Sequence, residues 1–174
     1  MEYHELYSEY TSLLNKKADC HKQIAVLKEG YISTKTIAGK KYAYLQYRVD
    51  GKLFSEYIKN ENLPGVRAEL DQRAATLSRI HEIDGRLDKI EAAAGILAKD
   101  LRRKMIIHRR CAAMETMSFG EREKSLAFSS AMTALEGIPA SEESELNLSR
   151  WAKGELSFQE SYLQTLRTYH LAEV

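Results

Sequence analysis

Between two long stretches of helical periodicity the chain changes character over residues 31–58, and this insertion limits the folds open to it. Three segments there, 31–37, 42–49 and 52–58, are rich in β-branched and aromatic residues, the composition of strands. Gly39 and Lys40 separate the first two segments, and Asp50 and Gly51 the last two. The second pair is a strong signal for a type I′ hairpin, whose two central residues both need positive φ. A three-stranded antiparallel meander follows. Its middle strand places Ala43, Leu45, Tyr47 and Val49 on one face and Tyr42, Tyr44, Gln46 and Arg48 on the other. So small a sheet is marginal in water by itself, so the flanking helices are expected to support it.

The first of those helices is predicted over residues 2–29. Leu6, Leu13, Cys20 and Leu27 recur every seven residues, with Tyr10 and Ile24 between them, a heptad-like seam interrupted at Lys17. Gly30 is expected to end it as a C′ glycine. The second helix starts at Leu63, with Pro64 in its first turn. Its apolar stripe comprises Leu70, Leu77, Ile80, Leu87, Ile90, Ala94, Leu97 and Leu101, which predicts one helix to about Thr116. The chain has only 2 prolines and 9 glycines among 174 residues, which suits such long elements. The expected fold is mainly α: a long antiparallel helical hairpin with the meander at its tip, over residues 1–117. A small three-helix module over residues 118–174 follows it.

Charge divides the chain in the same way. Residues 1–117 carry 21 Lys and Arg against 16 Asp and Glu, and residues 118–174 carry 5 against 9. A basic front and an acidic tail suit two different partners. Cys20 and Cys111 lack any CxxC or Cys/His spacing, so neither a disulfide framework nor a zinc site is indicated. The polar N-terminal stretch does not read as a signal peptide, and the apolar runs are too short to span a membrane. The expected location is the cytoplasm.

No motif recommends an enzyme. Histidines 4, 21, 81, 108 and 170 are scattered, and there is no GxSxG, HExxH or phosphate-binding glycine loop. No catalytic residue, metal ligand or cofactor is assigned. Two basic regions could bind a partner instead. Residues 31–59 hold Lys35, Lys40, Lys41, Arg48, Lys52 and Lys59 against Asp50 and Glu56, with five of the ten tyrosines. Cations interleaved with aromatic rings suit a nucleic-acid backbone and its bases; Lys40, Lys41, Tyr42, Tyr44 and Arg48 are the candidate contacts, to nucleic acid or to protein. Lysines guarding sheet edges and tyrosines filling strand positions explain the same composition. The second region is Lys99, Arg102, Arg103, Lys104, Arg109 and Arg110, whose charges are expected to spread around the helix and pair with the acidic tail.

The tail carries the most specific signals. Ser118 with Glu121, and Ser157 with Glu160, are capping boxes that open helices. Gly137 and Pro139 end the first of these, and Ser141 before Glu142 and Glu143 opens another that runs to about Gly154, with the last reaching about His170. Residues 121–160 resemble the short antitoxin domain named for VbhA, which inhibits Fic-domain toxins. The matching features are Phe128, Ala131, the run Leu135, Glu136 and Gly137, then Ser141, Arg150, Trp151, and Gly154 to Ser157 followed by Glu160. The family's inhibitory motif is Ser or Thr, three residues, then Glu and Gly or Asn. Glu136 and Gly137 fit it, but Met132 stands at the Ser/Thr position, with Thr133 one place later.

The resemblance implies that Glu136 pairs with the toxin arginine that otherwise holds the γ-phosphate of ATP, leaving the nucleotide misplaced for AMP transfer. A glutamate in a last helical turn also opposes the macrodipole, a local conflict of the kind functional sites carry. The first 117 residues lie outside that domain; hairpins with tyrosine-rich meanders are similar to uncharacterised bacterial proteins of mobile elements. The expected function is therefore a non-enzymatic binding protein, an antitoxin-like inhibitor of a Fic-domain AMP-transferase. The front half would add contacts, pair with a second copy through the long helices, or bind DNA. The alternative is a nucleic-acid-binding or mobile-element accessory or inhibitor protein acting through the basic meander.

Overall fold

The computed structural model describes residues 3–135, 137 and 140–168, with Thr133, Ala134 and Thr168 described by backbone alone. It is mainly helical, with a three-stranded antiparallel sheet between the first two helices. In order, the elements are α1 (Tyr3–Ala25), β1 (Tyr31–Ile37), β2 (Lys40–Val49), β3 (Lys52–Ile58), α2 (Leu63–Leu97), α3 (Lys99–Glu115), α4 (Phe119–Leu135), α5 (Glu142–Ala152) and α6 (Phe158–Thr168). Two compact units form: residues 15–89, and residues 1–14 with 90–174. No helix among the described residues is long and apolar enough to cross a membrane.

In the unit of residues 15–89, the second half of α1 pairs antiparallel with α2. Lys17 Nζ meets the Asp84 carboxylate at 2.7 and 2.9 Å, while Arg73 Nη1 donates to the Ile24 carbonyl at 2.9 Å. Arg73 thus brings a charged donor to a carbonyl at the C-terminal end of α1 that also accepts from the Leu27 N–H at 3.1 Å. That helix ends at Ala25, four residues before the predicted stop. Gly30 serves the sheet instead of the helix end. Its φ is +119°, and a Cβ there would lie 2.1 Å from the Gln46 carbonyl oxygen. It brings the chain tight against β2 as β1 begins.

The meander has the order β1-β2-β3, with Tyr44 opposite Ser33 on one side and opposite Tyr57 on the other. Asp50 and Gly51 both have positive φ, as a type I′ turn requires. The first turn falls on Ala38 and Gly39, one residue earlier than expected, and Ala38 sits at φ +48°. Ala43, Leu45 and Ile58 from one sheet face are buried with Val66 of α2, and Leu63 and Leu70 pack against them. This is the core of the unit, and it occupies one side of the sheet.

The buried stripes of the helices are shifted from the predicted seams. On α1 the buried residues are Leu6, Tyr10, Leu14 and Cys20, so Leu14 replaces Leu13. On α2 they are Val66, Thr76, Ile83, Leu87, Ile90 and Ala94, while Leu77 is half exposed. Thr76 is tolerated inside because its hydroxyl donates to the Gln72 carbonyl one turn back, at 2.8 Å.

In the other unit, the helix predicted to run unbroken to Thr116 breaks at Ala98, whose backbone is extended at φ −159°, ψ 123°. Tyr10 explains why. Its hydroxyl lies 2.6 Å from Glu91 Oε1 and 2.9 Å from the Met105 carbonyl oxygen. In one straight helix, positions 91 and 105 would stand about 21 Å apart at about 1.5 Å per residue. The break lets Met105, fully buried, meet the same phenol. No proline or glycine stands at residue 98 itself; Gly95, three residues earlier, is the one local sign, and a Cβ there would lie 2.9 Å from Arg102 Cδ of α3.

The geometry of Tyr10 and of Ala38 is open to direct test. Burial first, and then the hydrogen bond to Glu91, raise the Tyr10 pKa far above its ordinary value. A raised acid pKa means the native state favours the protonated phenol. Its stabilisation is fully present below about pH 10, where the unfolded tyrosine ionises, and is lost as pH rises beyond it. Tyr10→Phe should therefore cost about 1–3 kcal/mol in urea unfolding at neutral pH and make the fall in stability above pH 10 shallower. Ala38→Gly should instead raise stability by about 1 kcal/mol, since the left-handed region costs an alanine about 1–2 kcal/mol and glycine little.

Candidate functional site

The acidic tail folds as the three helices its caps foretold. Glu121 Oε2 accepts from the Ser118 N–H at 2.8 Å and its hydroxyl at 2.7 Å; Glu160 Oε2 does the same for Ser157 at 2.9 and 2.7 Å. These bonds hold both carboxyls below the usual glutamate range, through the Ser118 hydroxyl first for Glu121 and the Ser157 amide first for Glu160. Ser141 caps α5 by accepting from the Ser144 N–H at 3.2 Å. That helix ends in a Schellman motif: Glu155 N–H donates to Arg150 O, Gly154 N–H to Trp151 O, and Gly154 has φ +79°.

Arg122 joins the pieces. Its Nε donates to Met117 O at 3.1 Å, its Nη2 to Glu115 O at 3.1 Å, and its Nη1 to Trp151 O at 3.3 Å. The guanidinium also lies 5.7 Å from the Trp151 ring centre, and Phe158 meets that ring edge-on at 5.0 Å. The Glu115 carboxylate accepts from the Phe158 and Gln159 amides, closing the N-terminus of α6. Sequence reasoning passed over Arg122 and Glu115, because their partners are backbone groups of other helices and of the α3–α4 connection.

On this frame α4 carries the residues singled out by the antitoxin resemblance. Phe128, Met132 and Leu135 follow one another at helical spacing and are 69%, 40% and 82% exposed. Gly137 takes φ +68° just beyond the helix. Glu136 and Pro139, the side chain of Thr133, and the predicted helix end near His170 lie outside the described residues.

The meander separates the other candidates. Strand alternation puts Lys40, Tyr42, Tyr44 and Arg48 on the open face and Lys41 on the face of Ala43 and Leu45. Arg48 Nη1 also donates to the Gly51 carbonyl at 3.0 Å.

The second basic cluster is more ordered than expected. Lys99, Arg102, Arg103 and Arg110 line one cleft of about 550 Å³ with Ile106, Ile107 and Tyr162. Their intervals of three, four and seven residues form a single helical stripe, a pattern the even scatter of charge had hidden. Arg109 lies off that stripe and pairs with Glu91 of α2 at 3.1 Å. A neighbouring cleft of about 350 Å³ contains Tyr7, His108, Cys111, Leu163 and Leu166. Tyr7 Oη lies 3.1 Å from His108 Nδ1. Burial lowers the His108 pKa and raises that of the Cys111 thiol, so at neutral pH the cleft holds a neutral imidazole and a protonated, poorly nucleophilic thiol. Among the described residues no group of three His, Cys, Asp or Glu could hold a metal ion.

Comparison with known proteins adds one likeness. Residues 8–68 match the family described as Domain of unknown function (DUF6788), covering most of α1, the meander and the start of α2. No curated protein and no solved structure matches the chain.

The tail frame makes a direct prediction. Arg122→Ala should loosen it by about 1–3 kcal/mol, since three backbone carbonyls lose a charged donor. Trp151 is the single tryptophan and is 1% exposed, so its fluorescence should shift to longer wavelength at lower urea in the variant.

Proposed function

We propose that the protein is a non-enzymatic binding protein that inhibits a Fic-domain AMP-transferase through the α4–α6 module. The observation carrying this reading is the apolar row of Phe128, Met132 and Leu135, exposed along α4 and leading directly into Glu136 and Gly137. Three large apolar side chains in one exposed row are unfavourable in water and suit a surface that another protein covers. The resemblance of residues 121–160 to the VbhA-type antitoxin domain supports the choice of partner.

The chemistry is economical. Transfer of AMP from ATP depends on holding the phosphates in line and balancing their charge. A carboxylate that engages the arginine meant for the γ-phosphate leaves ATP free to bind, but in a pose that does not react. In this scheme the α4 row supplies binding energy and Glu136 supplies inhibition. Met132 at the Ser/Thr position gives the row an extra apolar contact in place of the family's hydroxyl.

The test uses a Fic-domain AMP-transferase, the first choice being any encoded in a neighbouring gene, with AMP transfer as readout. Glu136→Gly should restore transfer while the complex still co-purifies. Phe128→Asp should abolish co-purification as well, because it places a charge in the proposed contact. A Glu136→Gly protein that still silences the toxin at saturating concentration would show that inhibition is steric and the arginine pairing wrong.

A further inference from the structure

We propose that the open face of the meander binds single-stranded nucleic acid. The pairing register assembles this face from all three strands. Opposite Tyr42 and Tyr44 of β2 stand Lys35 and Ser33 of β1, and Tyr57 of β3 lies opposite Tyr44. Directly paired residues share a face. The register therefore gathers four tyrosines, Tyr31, Tyr42, Tyr44 and Tyr57, with three cations, Lys35, Lys40 and Arg48. Glu56, the one acidic residue within the strands, is paired with Leu45 and so belongs to the opposite, covered face. The open face thus carries positive charge with no carboxylate among its strand residues.

The aromatic rings are grouped. Tyr57 lies between its neighbours, with ring centres 6.0 Å from Tyr42 and 5.7 Å from Tyr44, in tilted and edge-on contact. The Lys35 ammonium lies 4.7 Å from the Tyr44 ring centre, so a cation and a flat π surface occupy one spot. Tyr31 and Tyr57 remain 57% and 48% exposed. Three of the residues concerned, Tyr31, Lys35 and Tyr57, were absent from the candidates drawn from β2 alone, because only cross-strand register brings them there.

The occupant follows from charge and shape. Cations with no carboxylate among the strand residues of their face attract a polyanion, and exposed rings offer stacking to flat bases whatever their sequence. A single strand supplies both a phosphate backbone and unpaired bases. A duplex keeps its base faces inside the stack and could use only the cations; an acidic peptide or an anionic membrane would likewise leave the rings without stacking partners. The other side of the sheet is occupied by Val66 and its neighbours, so the ligand lies across one face. This site belongs to residues 15–89 and does not depend on the tail's role.

Fluorescence anisotropy with the full-length protein tests the proposal, using labelled oligothymidylate, oligouridylate and a duplex of equal length. Between about 50 and 200 mM salt, Kd for a single strand should rise about 20- to 50-fold if three to four phosphates are neutralised. Tyr57→Ala should weaken binding by roughly 5- to 150-fold, the loss of one stacked base, whereas Tyr57→Phe should retain it. Tyr31→Ala, at the exposed start of β1, provides the same test should Tyr57→Ala disturb the sheet. Lys40→Gln combined with Arg48→Gln should flatten the salt dependence. A preference for either DNA or RNA supports the proposal and identifies the strand. Absence of binding at low salt, equal affinity for duplex, or equal binding of polyglutamate or anionic vesicles that survives Tyr57→Ala would overturn it.

Discussion

A single buried phenol ties three helices of one unit together. The Tyr10 hydroxyl has one proton, and the Glu91 carboxylate and the Met105 carbonyl both lie within hydrogen-bond distance of it. The side chain is fully buried, so water cannot supply a missing partner and an unpaired group there would be costly. Three helices converge on one point: α1 brings the phenol, α2 the carboxylate and α3 the backbone carbonyl. Arg109 reaches Glu91 as well, adding a positive charge to the carboxylate that receives the proton. The break at Ala98 and the complete burial of Met105 accompany that convergence.

A different constraint governs residues 15–89. A three-stranded sheet has two faces, and the start of α2 packs on only one of them. Ala43, Leu45 and Ile58 form that covered side with Val66. The alternation of strand side chains then commits every other residue to the open side, whatever its character. Had the register slipped by one residue, the tyrosines would be inside and the small aliphatics outside. Gly30 helps fix the arrangement, because only a residue without a Cβ can pass so close to the Gln46 carbonyl.

The tail adds hydrogen bonds to helix ends around a buried Trp151. Arg122 donates to carbonyls at residues 115, 117 and 151, and Glu115 accepts from the first amides of α6. These contacts surround Trp151 and Phe158. They leave the face of α4 that carries Phe128, Met132 and Leu135 exposed. Packing of the tail helices thus leaves one apolar face of α4 uncovered.

The sequence alone determined the elements whose signals are local. Strand composition and the Asp50–Gly51 turn announced the meander, and Ser118, Ser141 and Ser157 announced the three tail helices, since each cap acts through bonds to residues three positions away. The alternation within β2 likewise sorted Tyr42 and Tyr44 from Ala43 and Leu45 before any partner strand was placed. Tertiary structure decided everything that depends on residues far apart in the chain. The choice of Leu14 over Leu13 and of Thr76 over Leu77 reflects which side of each helix meets a neighbour, and adjacent leucines do not encode that. The break at Ala98 answers to Tyr10, nearly ninety residues away in sequence, and Tyr57 joins Tyr44 only through strand pairing. Burial is a property of the assembled chain: hydrophobic free energy depends on which surfaces leave water together, and no window of neighbouring residues contains that information.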